Sequence, residues 1–351
     1  MKLFSAKIKK QVGIDLGTSK ITLYLKGKGI VINEPTVVAV NNKTNQILAV
    51  GKEAEEMFGK TPIHISAIRP LENGVISDFE VTEKMIRYFL NKVKDSNFFN
   101  NILESTEAVV SAPINITDVE RRAISDVCKS VGVRNVYLVD GPIAMAIGAY
   151  LPVSGSEGTL VVDIGGGSCE IAVISLSGVV VGKSLKIAGN KLNEDIIYYV
   201  RDKFKMLIGE KTAEEVKISI GSAIDLGTNQ KIKIKGRDLT RGLPREINIE
   251  EQDVREAITP SLMKIVDAIK SVLEITPPEL MGDIIEKGIF LGGGGSLLKG
   301  LDQLIEKFVE LNVNVIEEPT TALIRGIGII LDNIDNYHDI LVSSLKQQPL
   351  E

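Results

Sequence analysis

At 351 residues, with 44% hydrophobic and 25% charged side chains, the chain is long enough for about two globular domains with cores of their own. Two cysteines, Cys128 and Cys169, and two histidines, His64 and His338, argue against a disulfide framework, a cysteine-rich zinc site or a histidine-based site. A net charge of −5 argues against nucleic acid as the main partner, because no basic field offsets phosphate repulsion, and no apolar run approaches the roughly 18–20 residues of a membrane span.

In chain order, the start (MKLFSAKIKK) is basic, and its lysines interrupt any run of signal-peptide length, so a cytoplasmic protein is expected. Residues 11–15 and 21–25 read as two strands joined by a glycine-containing turn. Residues 37–40 and 47–50 flank a polar turn and form a second hairpin, and 107–111 is a strand stopped by Pro113. Thr117 and Glu120 match a capping box, in which hydroxyl and carboxylate satisfy free N–H groups at a helix start. Val119, Ala123, Ile124, Val127, Cys128 and Val131 then line one face, and Gly132 suits the stop, so Cys128 reads as a core residue. A strand at 136–139 leads into a small-residue helix from Pro142. The opening pattern then recurs as strand 159–163, glycine turn 165–167 and returning strand 170–175. A more charged region between 183 and 253 holds an apparent hairpin at 231–235, before a final stretch of helix, strand, glycine turn and helix. Alternating β-like and helical patterns mark an α/β protein.

The two Asp-x-Gly turns carry the chemistry. Each puts a carboxylate, Asp15 or Asp163, beside backbone whose N–H groups can approach an anion. Gly17, Thr18, Ser19 and Lys20 follow the first acid; Gly165, Gly166, Gly167 and Ser168 follow the second. Either turn alone reads as a structural hairpin glycine. Two of them, each flanked by strands and followed by hydroxyls, favour a clamp on the phosphates of one nucleotide, with Asp15 and Asp163 holding Mg²⁺ through water. A third cluster, Gly292, Gly293, Gly294 and Gly295, follows a strand at 289–291 and precedes a helix expected near Ser296, a setting that suits an anion or a nucleotide edge. No Gly-Lys-Ser/Thr closes it, so it is not a Walker A loop.

The stretches DLGTS (15–19), DIGGGS (163–168) and GIFLGGGGSLL (288–298) resemble the phosphate-1, phosphate-2 and adenosine motifs of the actin, sugar-kinase and heat-shock-chaperone ATPase superfamily. TDVERRA (117–123), YLVDGPIAMAIG (137–148), IAGN (187–190), GEKTAEEVKISIG (209–221) and TPPEL (276–280) narrow the resemblance to the MreB family, over about residues 11–332. The resemblance implies the actin-like, ribonuclease H-like fold: two related halves and four subdomains around a nucleotide cleft. On it, 11–34, 73–149 and 331–347 form subdomain IA, 35–72 IB, 150–184 and 254–330 IIA, and 185–253 IIB, after a basic segment 1–10. It also implies ATP or ADP with Mg²⁺, and head-to-tail assembly into paired protofilaments, with other MreB-type subunits as further candidate partners. Glu214 and Lys217 would contact ribose and adenine; from the residues alone they read as a solvated charge pair on a helix. An actin-superfamily small-molecule kinase and a chaperone-like ATPase switch are the competing functions.

Three places depart from the family's usual pattern. Asp140-Gly141-Pro142 stands where Glu-Glu-Pro is usual, and the first acid is the group taken to position the attacking water, so Asp140 is the candidate catalytic residue. Its reach is shorter by roughly 1–1.5 Å, and a misplacement of about 1 Å can cost on the order of 10²-fold in rate. Ser168 and Cys169 replace two threonines, Cys169 leaving only a weak S–H donor, and Lys20 replaces an asparagine. Slow hydrolysis is expected. The adjacent Phe98 and Phe99 in NFFNNI (97–102) resemble the loop that MreB proteins insert into a bilayer, although a core-facing tuck fits the residues equally. With the basic, weakly amphipathic start, they lead to the expectation of an anionic membrane partner at the inner face of the cell membrane.

Overall fold

Apolar residues at every second position set the first sheet. Val12, Ile14 and Leu16, and across the turn Ile21, Leu23 and Leu25, are all buried, as period-two alternation requires of strands with one face on a core. The computed structural model describes residues 10–94 and 106–343, so the basic start and the Phe98, Phe99 pair lie outside the described residues. The chain divides into two compact units, Met1–Pro152 with Thr321–Glu351, and Val153–Thr320.

In the first unit a six-stranded sheet runs in the order Val342–Ser343, Asn135–Asp140, Thr106–Ala112, Lys10–Leu16, Lys20–Leu25, Gly29–Pro35. Lys10–Leu16 pairs in parallel with Thr106–Ala112, which pairs in parallel with Asn135–Asp140. On one face lie Met85, Ile86 and Phe89 of the Phe79–Lys94 helix and Val127 and Cys128 of the Asp118–Ser130 helix. On the other lies the Ala322–Asp332 helix, so close that a Cβ on Gly13 would stand 2.6 Å from Ile327. Thr117 and Glu120 form the expected capping box. Val119, expected on the apolar face, is 77% exposed; at 3.6 residues per turn it points well away from the face that Ile124, Val127, Cys128 and Val131 bury. Cys128 is fully buried among apolar neighbours, which push its thiol up to about 12. A smaller sheet of Ile47–Val50, Val38–Asn41 and Ile65–Ile68 packs with the Lys52–Met57 helix.

In the second unit the five-stranded sheet runs Gly178–Leu185, Cys169–Ser175, Thr159–Ile164, Ile289–Gly292, Val313–Val315. Its pairings repeat those of five strands of the first sheet: two successive antiparallel pairings on one side of the first strand and two successive parallel pairings on the other. The Gly189–Phe204, Glu251–Glu274 and Leu301–Val309 helices contribute to its core. The hairpin expected at 231–235 is larger, with Lys231–Asp238 pairing along its length with Pro244–Glu250. The chain returns to the first unit at Thr321, ten residues before the position drawn from the sequence, because the Ala322–Asp332 helix packs on the first sheet and on the Gly141–Gly148 helix. Among the described residues no helix is long and apolar enough to cross a membrane.

Candidate functional site

In the first unit three adjacent parallel strands end together, and their carboxyl ends carry Asp15, Ser111 and Asp140. Ser111 Oγ donates to Asp15 Oδ1 at 2.9 Å. Burial pushes the Asp15 carboxyl up to about 6, with the Ser111 hydrogen bond opposing the rise. The turn after Asp15 is braced by Thr36, whose N donates to Ser19 O at 3.0 Å and whose Oγ1 donates to Gly17 O at 2.7 Å. Thr18 is buried, and its hydroxyl oxygen accepts from Gly74 N at 2.8 Å, so this side chain holds the turn in place. Ser19 is half-buried and Lys20 exposed.

Asp140 is the N-cap residue of the Gly141–Gly148 helix, with Pro142 in the first turn, and its carboxylate makes no capping hydrogen bond. Burial raises its pKa, and the Arg121 guanidinium opposes the shift. A carboxylate raised in this way is a better proton acceptor, and the absence of a capping bond leaves it available to orient water.

In the second unit Asp163 and Gly292 sit side by side at the carboxyl ends of paired parallel strands. Within the turn, Gly165 N donates to Ser168 O at 2.9 Å. The Gly189–Phe204 helix begins against it, Gly189 N donating to Gly165 O at 3.1 Å and Asn190 N to Gly166 O at 2.8 Å. Gly293 has φ 77, and a Cβ there would lie 2.3 Å from Asp163 Oδ1. Only glycine accommodates both the left-handed backbone and that approach, so the third cluster abuts the acid of the second turn. The helix expected near Ser296 is instead a 3-10 turn, Gly294–Leu297, and the α-helix begins at Leu301; Gly300, with φ 69, separates the two. Gly167 is buried and Ser168 half-buried.

Cys169 differs from its expected place. Its side chain is fully buried in the core beside Ile164 and Ile171, and burial, then Asp163 and Glu170, push its thiol well up. It faces the core, not the turn, so its thiol is no substitute for a ligand hydroxyl. Glu214 and Lys217, on the Glu210–Ile220 helix, pair at 2.8 Å. The solvated-pair reading fits Glu214 alone: Lys217 is 12% exposed and donates to Gly189 O at 2.9 Å. Ser111 and Thr36 escaped the sequence reading, and Arg121 and Gly189 entered it only inside TDVERRA and IAGN, with no site role. Ser111 left a signal of its own there, a hydroxyl after the apolar run Ala108–Val110 near the carboxyl end of a strand.

Among the described residues no group of three or more His, Cys, Asp or Glu side chains could hold a metal ion. One carboxylate per turn fits Mg²⁺, which keeps most of its water and takes phosphate oxygens, better than a cation that needs a protein cage. The family model for MreB/Mbl protein matches residues 9–339. The chain belongs to the MreB/Mbl family. The cell shape-determining protein Mbl of Bacillus subtilis (strain 168) is 45% identical over 326 residues, 93% of this chain and 97% of its own. The cell shape-determining protein MreB of Escherichia coli (strain K12) is 44% identical over 347 residues, 98% of this chain and 99% of its own. The crystal structure of MreB5 of Spiroplasma citri bound to ADP is 34% identical with a TM-score of 0.89, covering 95% of this chain and 99% of that one. A second structure of MreB5, bound to AMPPNP, matches equally. The fold is the actin-like fold that the MreB resemblance implied.

Proposed function

We propose that this chain is an ATP-binding cytoskeletal subunit that assembles head to tail into paired protofilaments at an anionic membrane face, serves cell shape or motility, and hydrolyses ATP slowly. The observation that carries the reading is the repeat: each unit ends its central parallel strands in an acid-bearing glycine turn, and carboxyl edges of such strands are where α/β sheets take ligands. Family membership supports it, as do relatives named for determining cell shape and MreB5 bound to ADP and to AMPPNP.

In this reading Gly17, Ser19 and Lys20 of the first turn and Gly165, Gly166, Gly167 and Ser168 of the second offer N–H groups, hydroxyls and one ammonium to the phosphates. Thr18 keeps the first turn in register through its oxygen, which accepts from Gly74 N, and offers its own O–H to the same phosphates. Glu214 and Lys217 meet the nucleoside, and Gly292, Gly293, Gly294 and Gly295 line its edge. Asp15 and Asp163 would hold Mg²⁺ through water, and the ion when bound supplies positive charge to the phosphate oxygens. Asp140 orients the attacking water and accepts its proton, from a side chain one methylene shorter than glutamate. The case for slow turnover rests on Asp140 alone, since Cys169 faces the core. The four-subdomain division drawn above, with the return to the first unit at Thr321, belongs to the same proposal, as does membrane attachment through Phe98 and Phe99, with other MreB-type subunits as further partners.

Pelleting and negative-stain microscopy with ATP, ADP and a non-hydrolysable analogue, with phosphate release followed in parallel, test the reading. Paired filaments with little phosphate release are expected. No polymer with any nucleotide, with or without liposomes, would leave a superfamily kinase or switch as the better reading. Co-sedimentation with anionic liposomes is expected to drop when Phe98 and Phe99 are both changed to Ser; unchanged binding removes the loop from the membrane contact.

A further inference from the structure

Two hydrogen bonds converge on one oxygen of Glu214. Asn193, on the Gly189–Phe204 helix, donates from Nδ2 to Glu214 Oε2, and Lys217 donates to the same oxygen at 2.8 Å. The other oxygen, Oε1, takes no hydrogen bond among the described residues, and the Glu214 side chain is 43% exposed. The carboxylate is therefore held from one side and open on the other.

Asn193 itself is 2% exposed, and its Oδ1 has no partner among the described residues. Burying an acceptor without a donor is unfavourable, and an apolar side chain of similar size would fill the space without that penalty. Packing alone therefore does not account for an amide here; its contact with Glu214 does. The same set reaches the second glycine turn. Lys217 donates to Gly189 O, and Gly189 N donates to Gly165 O.

We propose that Asn193 is a positioning residue for the sugar end of the nucleotide: with Lys217 it holds Glu214 Oε2, so that Oε1 accepts from a ribose hydroxyl. The proposal rests on the ATP reading above and adds the residue that sets ribose selectivity.

The test is calorimetric titration of the full chain, with Mg²⁺, by ATP, 2′-deoxy-ATP and 3′-deoxy-ATP. The native chain is expected to bind ATP about tenfold or more tightly than the analogue lacking the accepted hydroxyl, the worth of one hydrogen bond to a charged group. Asn193→Leu should reduce that preference to about twofold or less, while its nucleotide-free melting temperature holds or rises because the orphan acceptor is gone. In a Glu214→Ala background, adding Asn193→Leu should change ATP affinity no further, since both act through one contact. A preference that survives Asn193→Leu, a native chain that binds ATP without discriminating the analogues, or additive losses in the double variant would each overturn the proposal. Failure of the folded native chain to bind ATP at all would overturn the ATP reading itself, a result separable from binding without ribose preference.

Discussion

The carboxyl of Asp15 closes a strand whose other side chains are largely apolar, and burial pushes its pKa up to about 6 from 3.8. An acid whose folded pKa is raised favours the folded state while it is protonated. Its contribution is fully present below about pH 3.8 and is lost as the pH rises through about 6. Asp15→Asn is therefore expected to be more stable than the native chain at pH 8, by about 1–2 kcal/mol, a figure reduced for the solvent the carboxyl still reaches. Urea unfolding at pH 8 and pH 4 checks this, and the advantage should largely vanish at pH 4. Asp140→Glu restores the longer reach and should raise phosphate release by about tenfold or more with little change in ATP affinity. Cys169→Thr should leave phosphate release unchanged. By placing a hydroxyl in an apolar core it should instead lower stability by about 1–3 kcal/mol, measured by urea unfolding.

Between elements, the closest approach described is that of the Gly141–Gly148 and Ala322–Asp332 helices. A Cβ on Gly148 would stand 1.8 Å from Ala322 O, and one on Gly326 would stand 1.7 Å from Ala144 O. These are backbone atoms, so no side-chain rotation relieves the clash. Gly326→Ala should destabilise the first unit by about 3 kcal/mol, the upper end of overpacking effects, measurable by thermal or urea unfolding. The capping box is an element feature of the opposite kind, wholly legible in TDVE because its partners lie three residues apart. The glycine crossing was not legible: its two helices are far apart in sequence, and a small residue signals nothing until its neighbour is known. Val119 shows a different limit: an apolar residue in a helical stretch need not lie on its buried face, and this one points away from Ile124, Val127 and Cys128.

For the whole molecule, the decisive feature is that two stretches with little sequence in common build the same five-strand order. The second unit is one continuous segment, Val153–Thr320, with its own core of Leu160, Val162, Ile171, Ile289 and their neighbours. A fragment of residues 153–320 is therefore expected to fold alone, with one cooperative thermal transition and a dispersed amide spectrum. A fragment that stays unfolded would mean that its stability depends on the remainder of the chain. The first unit is assembled from both ends of the chain, so its central sheet lacks the Ala322–Asp332 helix until residues 321–343 are present.

By itself the sequence determined the α/β class, the paired Asp-x-Gly turns and the family, because alternation, capping and turn glycines act over a few residues and leave their signature in order. Tertiary structure alone decided that Ser111 reaches Asp15, that Thr18 serves the turn, that Cys169 faces the core and that Asn193 holds Glu214. Those contacts join residues that are distant in the chain or face opposite sides of one strand, and only strand register and helix packing place them.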